Sequence, residues 1–305
     1  MKFNWKKKGQ IYQAPRDNSW RDNSALTPTA LLLNNDVIRV YAGMRDPEGI
    51  SRIGYIDVNA HNPSEIIKVS DKPVLDLGLD GMFDDNGLIL GDVLRVGDKI
   101  YMYYVGFQLC SKVKFLAYTG LAISSDNGDS FERVKSTPVL DREDEALYIR
   151  ALHSIIYEDG MFKAWYATGS GWENIDGKLF PQYDINYCES KDGINFPLSG
   201  LKCVENNKEN LEYRIGRPRV YKLDNKYILN YTYGTTDGKY LPGQAISDDG
   251  KNWTRNDNDF NISTSDYGWD SKHLCYPNIL KVGYKTYMFY NGKDMGVEGF
   301  GYAEL

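Results

Sequence analysis

The sequence lacks the features of membrane, nucleic-acid-binding and metal-binding proteins. Its 305 residues contain no apolar run near the roughly 18 residues that a membrane helix needs. Basic residues are fewer than acidic ones, 36 against 42, and the net charge of −6 argues against a surface for nucleic-acid phosphates. The four cysteines share no CxxC spacing, which indicates neither a zinc site nor a disulfide framework. We therefore expect no metal, no cofactor, no nucleic acid and no membrane.

A signal peptide is also missing from the first residues. Residues 1–14 contain several lysines and no apolar segment of the kind that a signal peptide requires. Together with scattered cysteines, which suit reduced thiols, this predicts a cytoplasmic protein. Nothing in the composition indicates an oligomeric state.

Aromatic residues and glycine are abundant. The chain contains 24 Tyr, 6 Trp and 29 Gly, and 42% of its residues are hydrophobic. Tyrosine and tryptophan favour pleated strands, and glycine favours tight turns, so this composition predicts a β-rich fold with a sizeable core.

A repeat of about 60 residues organises the chain. Five short apolar strands each end in a tyrosine that is soon followed by glycine, and the tyrosines lie 63, 62, 65 and 59 residues apart. These anchor tyrosines are Tyr41, Tyr104, Tyr166, Tyr231 and Tyr290. A second apolar run precedes each one across a polar turn, which predicts a hairpin.

A third strand follows each hairpin and a fourth follows in four units, which is typical of a propeller blade. The fifth unit stops at Leu305 after its third strand. Residues 3–14 resemble the fourth strands in their aromatic start and basic middle. We therefore predict an all-β, five-bladed β-propeller of four antiparallel strands per blade, one domain over residues 1–305, closed by its N-terminal strand.

Three units also carry a turn of the form Ser-x-Asp-(x)-Gly-x-x-aromatic. Its aspartates are Asp126, Asp192 and Asp249. An aspartate that accepts backbone N–H bonds across a turn explains this pattern, so we interpret these three residues as structural.

The inner strands of a propeller begin at one end of its central channel. Thirteen positions before the anchor tyrosines stand Pro28, Gly91, His153, Pro218 and Pro277, which should ring that opening. The segments around this column are unusually ionic for strand starts. Because buried charges are unfavourable unless paired or used, the ring is a candidate site. The alternative is an Arg–Asp network that plugs the channel.

Arginine dominates the candidate ligand-binding residues. Its guanidinium matches carboxylate and phosphate groups, so we expect a small anionic carbohydrate as the partner. Trp20, Trp172, Trp269 and Tyr276 could stack on sugar faces or belong to the core. The candidate ligand-binding residues are Arg45, Arg150, His153, Arg214, Arg217, Trp269, Lys272 and His273.

The segments GMRDPEGISRIGYIDV (43–58), FDDNGLILGDVLRVGDKIYMYYVG (83–106) and GWDSKHLCYPNIL (268–280) resemble the five-bladed propeller glycosidases. The resemblance covers the whole chain and extends to the arabinanase, invertase and mannoside-phosphorylase types, glycosyl hydrolase families 32, 43, 62, 68 and 130. Within this group, the sequence resembles most the bacterial glycosyl hydrolase-like proteins that are linked to surface-polysaccharide genes. The resemblance implies the fold more strongly than the activity.

The chain departs from the family at its usual catalytic positions. In the arabinanase type, carboxylates stand in DP and EGP motifs directly before the proline column. Here Thr27 precedes Pro28, and Arg217 precedes Pro218. If the chemistry has moved, the candidate catalytic residues are Asp84, Asp85 and Asp270, with His153 or His273 as a possible acid or base. The aspartates could equally be partners of the arginines.

Two functions remain open from the sequence. One is a glycoside hydrolase or phosphorylase acting on an anionic or phosphate-bearing sugar at the channel opening, with surface-glycan metabolism as its setting. The other is a non-catalytic propeller that binds a sugar or nucleotide-sugar, which the missing carboxylate pair suggests. We favour the enzyme.

Overall fold

The computed structural model describes residues 2–305, and β-strands dominate this part of the chain. In chain order the strands are β1 (Lys6–Tyr12), β2 (Ala25–Leu32), β3 (Val37–Arg45), β4 (Ser51–Asn59), β5 (Ile66–Val69), β6 (Leu88–Val96), β7 (Lys99–Leu109), β8 (Phe115–Ser124), β9 (Glu132–Arg133), β10 (Ile149–Glu158), β11 (Met161–Ile175), β12 (Lys178–Ser190), β13 (Leu201–Val204), β14 (Glu212–Leu223), β15 (Lys226–Thr235), β16 (Tyr240–Ser247), β17 (Thr254–Arg255), β18 (Cys275–Val282), β19 (Lys285–Asn291) and β20 (Phe300–Glu304).

Antiparallel pairing sorts these strands into five groups of four. Groups 1 to 4 are β2–β5, β6–β9, β10–β13 and β14–β17, each in chain order. Group 5 combines β18–β20 with β1, whose Tyr12 lies opposite Phe300. Short parallel pairs between β8 and β10 and between β12 and β14 join groups 2, 3 and 4 into one 12-stranded sheet. Within residues 2–305 no sheet closes on itself.

Apolar clusters fill the spaces between consecutive groups. Buried side chains join group 1 to 2, 2 to 3, 3 to 4 and 4 to 5, and a further cluster joins group 5 to group 1. All five anchor tyrosines are fully buried within the second strands of their groups. Hydrogen bonds from second-strand aromatics cross four of these spaces. They run from Tyr41 Oη to Gly128 O (3.1 Å), Tyr103 Oη to Gly193 O (2.7 Å), Trp165 Nε1 to Gly250 O (2.8 Å) and Tyr287 Oη to Ala60 O (3.0 Å).

The three Ser-x-Asp turns have the structural role that their spacing predicts. Asp192 Oδ1 accepts hydrogen bonds from the backbone N–H groups of Ile194 and Asn195, at 2.9 and 2.8 Å. These bonds hold the pKa of the Asp192 carboxyl below its usual range. Asp249 makes the equivalent bonds to Lys251 and Asn252, both at 2.8 Å.

Ion pairs tie the innermost strand to the outermost strand in three groups. In each, an acidic residue near the start of the inner strand contacts a basic residue on the fourth strand. The pairs are Asp84–Arg133 (2.7 Å), Glu212–Arg255 (2.8 Å) and Asp270–Lys7 (2.6 Å). We call these three pairs the strand clamps. The carboxylates are buried in all three, so the clamps hold the edges of their groups in place.

The helices are three short 3₁₀ turns, at Lys208–Asn210, Asp257–Phe260 and Lys293–Gly296, within the described residues. None of them has the length and apolar character needed to cross a membrane. All four cysteines are free thiols.

Candidate functional site: a cationic cavity at the strand starts

The five column positions lie together, as their spacing predicts. Pro28, Gly91, His153, Pro218 and Pro277 all line one narrow cavity. The register of every inner strand shifts at this level, which marks a β-bulge or irregularity in each. Five segments separated by about 60 residues therefore meet around a common space.

Each of the three prolines in the column is directly preceded by a residue with a left-handed backbone conformation. Thr27, Arg217 and Tyr276 have φ values of 54°, 55° and 58°. Residues before proline normally adopt extended conformations, and a left-handed non-glycine residue is strained. All three line a larger cavity above the column. Backbone strain is thus present where these side chains reach the cavity.

This larger cavity, the central cavity, has a volume of about 430 Å³. Arg45, Arg214, Arg217 and His153 line it, so the structure brings together four of the eight predicted ligand-binding residues. Lys114 adds a further basic residue. Among the residues that the structure describes, no aspartate or glutamate lines this cavity.

Arg217 and His153 form a contact at the floor of the cavity. Arg217 Nη1 lies 2.8 Å from His153 Nδ1 and 2.6 Å from the carbonyl oxygen of Leu90. Arginine only donates hydrogen bonds, so His153 accepts through Nδ1 and carries its proton on Nε2. Burial and the Arg217 charge hold the pKa of His153 well below 6.5. Burial also lowers the pKa of Arg217 to about 10.

Arg214 and Arg45 complete the cationic side. The Arg214 guanidinium lies over the ring of Tyr240, 4.4 Å from its centroid, and over Tyr213 at 5.0 Å. Its Nε atom and that of Arg45 are buried without a hydrogen-bond partner among the described residues. Burial lowers the pKa of Arg45. For Arg214 burial acts in the same direction, but the nearby tyrosines outweigh it and raise the pKa.

The three cavity arginines have no carboxylate partner within residues 2–305. A guanidinium that is partly removed from water gains most from an anion that it can contact through two N–H groups. Chemically, this arrangement can bind a carboxylate or phosphate group.

The other four predicted ligand-binding residues lie outside the central cavity. Arg150 is buried beneath Tyr166 and donates to the carbonyl oxygen of Asp141 at 3.3 Å. Trp269 stacks on Tyr290, with ring centroids 5.0 Å apart. Lys272 pairs with Asp294 at the surface, at 3.0 Å.

His273 contacts a residue that lines the cavity. Its ring packs edge-on against Tyr240, a cavity residue, and its Nδ1 accepts a hydrogen bond from the backbone N–H of Asp294 at 3.1 Å. Burial, followed by the Lys272 charge, lowers its pKa. His273 therefore contacts the cavity wall through Tyr240, without lining the cavity itself.

None of the three candidate catalytic carboxylates lines the central cavity. Asp84 and Asp270 belong to strand clamps, and Asp270 also accepts a hydrogen bond from Tyr290 Oη at 3.0 Å. Asp85 differs, because it has no basic partner among the described residues. Its Oδ2 accepts from the N–H of Gly81 at 2.9 Å, and its Oδ1 is buried without a partner. The next residue, Asn86, lines the cavity.

Sequence reasoning missed part of the wall. Four aromatic residues that the sequence analysis does not single out line the cavity, namely Tyr183, Tyr240, Phe107 and Phe115. Tyr276, which was predicted to stack on a sugar or to belong to the core, also lines it. The signal for Tyr276 was its place before a column proline. The other four stand on second and third strands, whose inward positions no local pattern marks. Across the described residues, no group of three or more His, Cys, Asp or Glu side chains is arranged to hold a metal ion.

Comparison with solved structures gives the class of fold. One similar structure comes from the GH130 family of mannoside phosphorylases, which contains glycoside hydrolases that target β-1,2 mannosidic linkages in Candida mannan. The alignment covers 100% of this chain and 94% of the GH130 chain, with a TM-score of 0.73 and 14% sequence identity. A second similar structure is that of a thermostable family-43 glycoside hydrolase. The alignment covers 92% of this chain and 88% of the hydrolase chain, with a TM-score of 0.69 and 16% sequence identity. The chain thus has the all-β fold of propeller-type glycoside hydrolases and phosphorylases.

Two curated relatives resemble the sequence itself. An uncharacterized protein of Mycobacterium tuberculosis (strain ATCC 25618 / H37Rv) is 27% identical over 301 residues, 99% of each chain. A β-1,2-mannobiose phosphorylase of Thermoanaerobacter sp. (strain X514) is 29% identical over 134 residues, 40% of this chain and 43% of its own. No protein-family model matches the chain.

Proposed function

We propose that this protein is a glycoside hydrolase- or phosphorylase-like protein that binds an anionic or phosphate-bearing sugar in the central cavity. We further propose that residues 1–305 form a single five-bladed propeller, whose blades are the five strand groups and whose closure comes from β1. The apolar clusters between consecutive groups, including groups 5 and 1, support this architecture. The folds of the mannoside phosphorylases and family-43 hydrolases support carbohydrate as the ligand class.

One observation carries the proposal: Arg45, Arg214 and Arg217 line the same cavity without a carboxylate partner among the described residues. Anions are the ligands that such guanidinium groups bind best. In a phosphorylase, these arginines would hold inorganic phosphate as the nucleophile. We also propose the cytoplasm as the setting and bacterial surface-glycan metabolism as the process.

For the reaction itself, Asp85 is the carboxylate that we propose as acid or base. It lacks a basic partner within the described range, one of its oxygens makes no hydrogen bond, and it adjoins a cavity residue. General acid catalysis requires a carboxylate that can reach the glycosidic oxygen. Substrate binding would therefore have to bring the segment of Asp85 closer to the cavity.

The second candidate function is binding without turnover. Its support is that no carboxylate from residues 2–305 lines the central cavity, whereas glycoside hydrolysis needs two. In this form the protein would retain a sugar or nucleotide-sugar through its anionic group.

Titration calorimetry with inorganic phosphate and with glucuronic acid tests the anion site. We expect Arg217→Gln to weaken binding of the anion at least about tenfold, because hydrogen bonds to charged groups contribute about 1.5–3 kcal/mol. Arg95→Gln is the matched control, since Arg95 is exposed and bonds Asn127 far from the cavity. If the wild-type protein binds neither anion, or if both variants lose affinity equally, the proposal is wrong.

Product formation from β-linked glycosides, with and without phosphate, separates the two functions. Turnover that Asp85→Asn abolishes while anion affinity is retained supports the enzyme. Anion binding without product from any glycoside supports binding only.

A further inference from the structure

The wall of the central cavity is divided by chemistry. Arg45, Arg214 and Arg217 lie on the side formed by groups 1 and 4, whereas most of the apolar side chains lie on the side formed by groups 2 and 3. That second side also carries Asn86, Lys114, His153 and Tyr183. Nine of these apolar residues lie on β6, β7, β8, β10 and β11: Ile89, Val105, Phe107, Leu109, Phe115, Ala117, Ile149, Ala151 and Ala167. We call these nine residues the apolar wall.

The apolar wall is continuous across five strands. Cross-strand partners point to the same face of a sheet. Ile89 lies opposite Val105, Phe107 lies opposite Ala117, and Ala151 lies opposite Ala167. The parallel pair of Ile149 and Ala117 joins the two groups. Paired apolar positions therefore connect β6 to β11, with Lys114 and His153 at the margin of the wall.

Not all of this wall is covered by protein. Ile89, Phe107 and Phe115 remain half-buried, and Leu109 is 68% exposed. Three alanines in the wall provide room where larger side chains would fill the space. Sugar hydroxyl groups need hydrogen-bond partners, which apolar side chains cannot supply. A plain sugar would therefore find no side-chain hydrogen-bond partner among the nine residues of the apolar wall.

Building on the proposed function, we infer that the ligand is an anionic glycoside with an apolar aglycone. Its anionic group contacts the arginines, and its alkyl or aryl aglycone covers the apolar wall. The cavity of about 430 Å³ falls within the range of about 300–1,000 Å³ of drug-sized ligand pockets. Charge at one end and apolar surface at the other fix the ligand's orientation.

Calorimetric titration with inorganic phosphate, phenyl phosphate and octyl phosphate tests this inference. We expect phenyl or octyl phosphate to bind at least about tenfold more tightly than phosphate, since covering apolar surface contributes to affinity. Phe107→Ala should remove most of this gain, measured as the ratio of the phenyl or octyl phosphate affinity to the phosphate affinity of the same variant. Tyr101→Ala is the matched control, because Tyr101 stands on the same strand but stacks on Phe162 outside the cavity.

The outcomes separate the inference from the proposed function. Equal affinities for the three anions, or an undiminished gain in Phe107→Ala, overturn the apolar aglycone and leave the anion site standing. Failure of all three anions to bind overturns both. A larger gain with octyl than with phenyl phosphate identifies the aglycone as an alkyl chain, and the reverse order identifies it as aryl; either order supports the inference.

Discussion

Charged residues near the inner strands of this protein occupy two contrasting regions. In the strand clamps, each acidic side chain contacts a basic residue on the outermost strand of its own group. In the central cavity, three arginines have no acidic partner within residues 2–305. The same residue types thus serve the scaffold where they are paired and form a candidate ligand site where they are not. Pairing, and not charge alone, distinguishes the two regions.

The largest expected effect tests the clamps. Asp84→Asn should lower the free energy of unfolding by about 3 kcal/mol, because breaking a buried ion pair leaves Arg133 without its partner. Denaturation with guanidinium chloride measures this change in the free energy of unfolding. The affinity for phosphate should not change. Asp80→Asn, an exposed neighbour, is the control. Lost affinity at unchanged stability would instead place Asp84 in the site.

A smaller effect is expected of His153 on the pH dependence of the free energy of unfolding. Its pKa in the folded protein lies well below 6.5, whereas the unfolded chain takes up a proton near pH 6.5. The unfolded state therefore binds more protons in this range, and stability falls as the pH decreases from about 6.5, by up to about 1.4 kcal/mol per pH unit. The loss ends once the pH is below the folded pKa.

Denaturation between pH 7 and pH 5 checks this prediction. His153→Gln should reduce the slope. Burial also lowers the pKa of His273, so part of the slope should remain in the His153 variant. An identical slope in the wild type and in His153→Gln would contradict the buried, neutral histidine.

The smallest effect concerns a paired residue at the surface. Lys272 and its partner Asp294 are both largely exposed, and exposed ion pairs contribute little. Lys272→Gln should change the free energy of unfolding by less than about 0.5 kcal/mol and leave phosphate affinity unaltered. A tenfold loss of affinity would show that Lys272 reaches the ligand after all.

Hairpins, repeat units and the Ser-x-Asp turns were predictable because their signals are local. The anchor tyrosines mark strands that are buried in every group, and Asp192 makes the turn bonds that its spacing predicts. The column of Pro28, Gly91, His153, Pro218 and Pro277 was also found from spacing alone. Equivalent positions in successive repeats therefore meet around one cavity.

The partners of the charged side chains were not predictable in the same way. Asp270 pairs with Lys7, which is 263 residues away, and Asp84 pairs with Arg133 on the far edge of its group. Arg150 and Arg217 both precede their column positions, yet Arg150 donates to the carbonyl oxygens of Asp141 and Pro197 outside the cavity. The apolar wall was missed because its residues read as ordinary core positions of strands.

The sequence alone determined the number of repeats, the four-strand pattern of each unit and the positions that meet at the strand starts, because these depend on short-range spacing and turn chemistry. Only the tertiary structure decided which charges are paired, which arginines face the cavity and which apolar side chains stay uncovered. Those properties depend on contacts between groups that are distant in the chain, and on bulges that turn individual side chains inward.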